Sequence, residues 1–161
     1  MSDACTIYIN RVDYKKVREI IEAVSTNPVE VVGDPDKREQ ITVRGQSTLT
    51  LIPMEGRPYV HDEFSDLILG TAAYFRRVET AHTNLKAKII TAISECQFAL
   101  GVVGRPAFDE EEKHFDIVFA ITEAFGGLIF NGNGMIDENG LMVLDSEGNS
   151  DLTDANSIEV Q

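Results

Sequence analysis

The chain has 161 residues, 43% of them hydrophobic and 25% charged, with 14 Lys and Arg against 27 Asp and Glu for a formal net charge of −13. These are globular values that argue against wholesale disorder, and no apolar run reaches the roughly 18 residues of a membrane helix. The acidic surplus disfavours direct binding of DNA or RNA, which needs cationic groups to displace counterions from phosphates.

Read in order, "CTIYI" (5–9) has the composition of a strand. Asp13 can cap a helix over 14–24, whose Val17, Ile20, Ile21 and Val24 recur at helical spacing, with Val12 and Val17 placed as a hydrophobic staple. Three short β-type runs follow at 29–32, 40–44 and 48–52, separated by the turn-forming "GDPD" and "GQS", which predicts a meander. "PMEGRP" breaks the pattern. Helices are then expected over 62–78, with Phe64, Leu67, Ile68, Ala72 and Phe75 on one face, and over 83–95, with Leu85, Ile89 and Ile93.

"FALGVV" (98–103) is continuously apolar, as in a strand buried on both faces. In "DEEEKHFDIVFAITEAF", Asp109 and Glu112 stand at capping-box spacing and Gly126-Gly127 supplies a stop, which predicts a helix from 109. Strands are expected at 128–131 and 141–145, and an acidic, mobile tail from 146 to 161 after a domain spanning 1–145. The fold class is therefore α+β: a mixed sheet with an early antiparallel meander, about four helices and a C-terminal hairpin. Cys5 and Cys96 lie in apolar-patterned segments and read as buried free thiols. The first residues lack the basic and long apolar stretches of a signal peptide, so a cytoplasmic protein is expected.

Charge is unevenly placed. Residues 1–108 hold 14 acids and 13 bases, whereas 109–161 hold 13 acids and one base, Lys113. Such asymmetry marks a candidate acidic interaction surface.

Motifs that promise chemistry fall short of it. "NGNGMIDENG" (131–140) has the centre of an EF-hand calcium loop but lacks both outer anchors, since Ile129 and Gly140 occupy the first and last ligand positions. Its Asn-Gly steps instead suit hairpin turns. Glu111 and His114 form one Glu-x-x-His pair, but a di-iron site needs a second. His61, with its neighbouring acids, lacks that spacing, so no metal is expected. His114 is placed to pair with Glu110 or Glu111, one turn back. "GVVGRPAFDEEE" follows a strand–turn–helix layout, yet four carboxylates sit where a phosphate would bind. Arg76, Arg77, Lys86 and Lys88 form the one local basic cluster. No catalytic residue set and no cofactor is called for.

From about residue 5 to 145 the chain resembles an uncharacterised bacterial α+β domain family. The likeness is carried by "LTLIPMEG", "GTAAYFRRVET" and "KIITAISECQFALGVVGRPAFDEEEKHFDIVFAITEAFGGLIF". That family occurs mainly as an N-terminal unit of larger proteins of unknown function. The resemblance supplies no catalytic residues, and the acidic tail departs from that context.

The functional expectation is a non-catalytic binding protein that meets a basic protein partner through Asp109, Glu110, Glu111, Glu112 and Asp116, with Glu123 two turns on. Its most concrete form is an immunity or antitoxin protein occluding the cationic active site of a toxin. The alternative is a small-molecule sensor or enzyme, with Arg76, Arg77 and His82 holding an anion between the sheet and the helices at 62–95. A homodimer through the meander edges is a third possibility. Neither nucleic acid nor membrane is expected as a partner.

Overall fold

The computed structural model describes residues 2–25, 30–32, 40–56 and 61–152. The elements run β1 (Asp3–Ile9), α1 (Tyr14–Val24), β2 (Glu30–Val32), β3 (Ile41–Arg44), β4 (Thr48–Glu55), α2 (Glu63–Arg77) and α3 (Thr83–Glu95), then β5 (Phe98–Arg105), α4 (His114–Phe125), β6 (Leu128–Phe130), β7 (Gly134–Ile136) and β8 (Met142–Asp145). The strands form one sheet in the order β2-β3-β4-β5-β1-β6-β7-β8.

The class is α+β, with the early meander and the C-terminal hairpin both present. Every pairing among the described residues is antiparallel, in place of the expected mixed sheet. The sequence alternates strand and helix around α4 as a parallel crossover would. β5 and β6 do run parallel to each other across α4, but they do not pair: β1 lies between them, antiparallel to both.

Helices cover both faces, and the period-two alternation of the central strands assigns side chains to each. Ile7 and Ile9 of β1, with Leu100 and Val102 of β5, pack with Val17 and Ile21 of α1 and with Ile117 and Ile121 of α4. Tyr8 and Ala99, pointing the other way, pack with Phe75 of α2 and Leu85, Ile89 and Ile93 of α3. Tyr8 also shares a buried 2.6 Å hydrogen bond with Thr71 of α2. Each fully buried Ile, Leu or Phe contributes about 1.5–3 kcal/mol, so both helical layers are held mainly by this stripe-on-sheet burial.

Local signals set several boundaries. Asp13 accepts the N–H groups of Lys15 and Lys16 and starts α1 at the expected residue. By contrast, β4 runs through Pro53 to Glu55 instead of ending before the proline. Among the described residues β3 pairs only with residues 48–51, so Pro53 meets a partner strand only on the β5 side. The "GDPD" turn lies outside the described residues.

The stretch 131–140 contains two turns and an unforeseen strand, β7. Asn131 Oδ1 accepts the N–H groups of Asn133 and Gly134 in the first turn. In the second, Asp137 Oδ1 accepts those of Asn139 and Leu141, and Gly140 sits at φ 82°. The same arrangement recurs eight residues later. Asp145 Oδ1 accepts from Glu147 and Asn149, with Gly148 at φ 83°. Residues 146–152 are therefore anchored, contrary to the expected tail. Thr80 Oγ1 donates to Gly148 O at 2.7 Å, Asp151 closes on Met142 from both its N–H and its carboxylate, and Leu152 packs on the α2–α3 core. The rest of that expected tail, 153–161, lies outside the described residues.

Candidate functional site: the acidic connection before α4

The connection from β5 to α4 carries four acids and α4 itself two of the six candidates, and these six carboxylates divide into two kinds. Asp109 is fastened in place. Its Oδ1 accepts the N–H groups of Glu111 (2.9 Å) and Glu112 (3.3 Å), and its Oδ2 accepts the Ser47 hydroxyl at 2.8 Å. The Ser47 hydrogen bond is the main reason its carboxyl titrates below the usual range; the N–H groups of Glu112 and Glu111 add to this against some desolvation.

Glu112 is buried, at 8% exposure, and reaches across to the β3–β4 turn. Its Oε1 accepts the backbone N–H of Gln46 and its Oε2 that of Ser47, the latter at 3.1 Å. Gly45 makes this approach possible, because a Cβ there would collide with the Glu112 carboxylate. The Asp109–Glu112 capping box is thus overturned. Glu112 does not fold back on its own helix start. Instead α4 begins at His114, behind Lys113 in the left-handed region at φ 63°.

His114 is 1% exposed and pairs with neither Glu110 nor Glu111. Its Nδ1 accepts the Asp109 N–H at 3.0 Å, which in the neutral ring leaves the proton on Nε2. That nitrogen faces Glu112 Oε2 at 3.6 Å, beyond a hydrogen bond, and is buried without another partner. Burial holds the His114 pKa below its usual value, against the opposing pull of the Glu112 and Asp109 carboxylates.

The remaining four acids, Glu110, Glu111, Asp116 and Glu123, are exposed. Lys113, the only base in the run, lies 4.0 Å from Asp116. Sequence reasoning found the acidic run but missed its receptor, the Gly45-Gln46-Ser47 turn. The partners stand more than 60 residues apart, and no local pattern links them.

The basic cluster sits elsewhere. Arg76 and Arg77 are exposed in the last turn of α2, where they complement the helix dipole. Lys86 Nζ donates to the carbonyls of Arg76 (2.8 Å) and Val78 (2.9 Å), capping that helix. His82 stands half-buried before α3, its N–H donated to Thr80 Oγ1. A cleft of about 560 Å³ does open between the sheet and α2–α3, but at the opposite ends of these helices. Phe64, Ile68, Leu69 and Phe98 line it beside Ser94 and Gln97; Arg76, Arg77 and His82 do not.

His61 pairs with Asp66 at 2.8 Å, and no group of three His, Cys, Asp or Glu side chains among the described residues is placed to hold a metal ion. Both cysteines are free; Cys96 is buried, its thiol within reach of two carbonyl acceptors, Ile9 O at 3.1 Å and Phe98 O at 2.9 Å, whereas Cys5 is only half-buried. No helix of the described residues is long and apolar enough to cross a membrane.

Compared with protein-family models, with curated proteins and with solved structures, the chain matches none. The family resemblance noted above therefore rests on its residues alone.

Proposed function

We propose that this chain is a non-catalytic cytoplasmic binding protein that engages a basic protein partner through the acidic surface at the start of α4. In its most concrete form it is an immunity or antitoxin protein covering the cationic active site of a toxin. The observation that carries this reading is the division of labour among the carboxylates. Asp109 and Glu112 fasten the connection to the β3–β4 turn, and Glu110, Glu111 and Asp116 are thereby held out in water. A backbone already ordered need not lose entropy on association, and a one-signed surface speeds encounter with a basic partner.

The test is a pull-down from the native lysate at low salt and at 1 M salt, with the Glu110→Lys/Glu111→Lys double variant alongside. The expected result is one stoichiometric basic protein, lost at high salt and not retained by the variant. Unchanged retention by the variant overturns the proposal.

A second reading, a small-molecule sensor or enzyme, is favoured by the 560 Å³ cleft, whose size suits a small ligand. Its ligand would meet the Phe64–Ile68–Leu69 wall, not the arginines. A melting temperature raised by one specific metabolite supports it, and no response across a metabolite screen counts against it.

A further inference from the structure

Among the described residues, three large hydrophobic side chains are exposed: Leu69 at 57%, Phe115 at 41% and Leu141 at 42%. Leu69 lies on the cleft between α2 and α3. The other two belong to an apolar strip on the opposite face of the sheet, running from Phe108 to Leu141. Phe115 stacks edge-on against Phe108, with ring centroids 5.4 Å apart. One turn along α4, Phe119 is half-buried against the α1–α4 core. Its ring faces Gly140 closely enough that a Cβ there would touch it at 3.7 Å. Leu141 follows directly, in a turn pinned by Asp137 Oδ1.

The neighbours of the strip along the chain are acidic at both of its ends: Glu110, Glu111, Asp116 and Glu123 before and along α4, and Glu138 in the β7–β8 turn, where Asp137 is already engaged by backbone N–H groups. Lys113, the one base in the run from 109 to 123, is already beside Asp116, and two further bases, Arg11 and Lys16, lie at the far end of α4 beside Ala124 and Phe125. An apolar centre with a charged rim is the anatomy of a protein-binding surface. Its charge excludes two occupants. A second copy of the chain would bring like charges together, and an anionic membrane or nucleic acid would be repelled.

We infer that the Phe108–Phe115–Phe119–Leu141 strip docks a cationic amphipathic protein segment, one carrying large apolar side chains flanked by Lys or Arg. This rests on the acidic-surface reading above and adds its apolar half: charge draws the segment in, and the strip takes its side chains.

The test titrates the full chain, ¹⁵N-labelled, with two synthetic helical peptides of equal charge. One has Leu on one face and Lys on the other; the second has Gln in place of every Leu. The Leu peptide is expected to bind one-to-one, with amide shifts confined to residues 108–119 and 137–141, and roughly tenfold or more tighter than the Gln peptide. The Phe115→Ser/Leu141→Ser variant, with Leu141→Ser alone as a milder control of folding, is expected to remove that difference.

Equal binding of both peptides at the acidic face overturns the strip and leaves the acidic-surface reading standing. No binding of either overturns both. Shifts centred on the α2–α3 cleft, or Leu-peptide affinity unchanged in both variants, overturn the strip as the docking site.

Discussion

Glu112 and Ser47, 65 residues apart in sequence, are joined by a carboxylate-to-backbone hydrogen bond of 3.1 Å. With the neighbouring bond from Gln46, it ties the start of α4 to the tip of the β3–β4 hairpin. The sharpest consequences concern stability, and each can be measured on the purified protein.

Replacing Glu112 with Ala leaves two turn N–H groups without their carboxylate and a buried void beside His114. Hydrogen bonds to a charged group are worth about 1.5–3 kcal/mol, so a loss of about 3 kcal/mol is expected, lowering Tm by roughly 6–12 °C. Gly45→Ala should also destabilise, through collision with the same carboxylate. In the Glu112→Ala background that collision is gone, so the Gly45→Ala cost should shrink markedly. Additive costs in this double-mutant cycle would show that the two residues do not act on each other.

The exposed acids should behave in the opposite way. Glu110→Lys, Glu111→Lys and Glu123→Lys each touch side chains in water, and each is expected to change unfolding free energy by no more than about 0.5 kcal/mol. Urea unfolding of the three variants checks this. A large loss at any of them would place that residue with Glu112 in the structural set.

His114 gives a pH dependence of defined sign. Its folded pKa lies below the usual value, chiefly through burial, so the unfolded chain takes up a proton first as pH falls. Stability from this group is fully present above about pH 6.5 and declines below it until the folded pKa is passed, at no more than about 1.4 kcal/mol per pH unit. Glu112 and Asp109 are the charged groups that pull His114 the other way, and they narrow the window. Urea midpoints measured from pH 7.5 to 5 should therefore fall more steeply for the wild type than for His114→Asn. Parallel curves would remove His114 from the account. Asp109, with its lowered pKa, acts in a separate and more acidic window: its stabilisation is present above the ordinary carboxylate pKa and is lost as pH falls through the folded one.

The thiols should be quiet. Burial pushes Cys5 up to about 12 and raises Cys96 as well. At pH 8 a group of pKa about 12 is thiolate in roughly one molecule in ten thousand. Reaction with a thiol reagent should be slow in the native protein and release two equivalents on unfolding. A fast native equivalent would mean that one thiol is open to solvent.

Much of the fold was legible because it is decided locally. The limits of α1 and α3 follow from periodicity, and Asp13 announces its own helix. The misplaced start of α4 has a different origin. Asp109 and Glu112 have the spacing of a local cap, but Glu112 is taken by a turn distant in sequence, and a pattern search cannot weigh a contact it does not see. The strand β7 was hidden by its length, three residues between two glycine turns. Residues 146–152 read as tail because their anchors are backbone and carboxylate hydrogen bonds, which leave no apolar periodicity. Of the candidate surface, the acids were visible in the sequence, but the apolar strip was not, since Leu141 meets the α4 phenylalanines only after the sheet has formed.

The N-terminal strand β1 occupies an interior place in the sheet, bonded on one side to residues 98–104 and on the other to 128–130. During synthesis both edges of this apolar strand therefore stay open until residues 98–104 and 128–130 have been made. Long-range closure of this kind slows folding compared with a helical bundle of equal length. It also means that a fragment ending before β5 has no native neighbour for either side of its first strand.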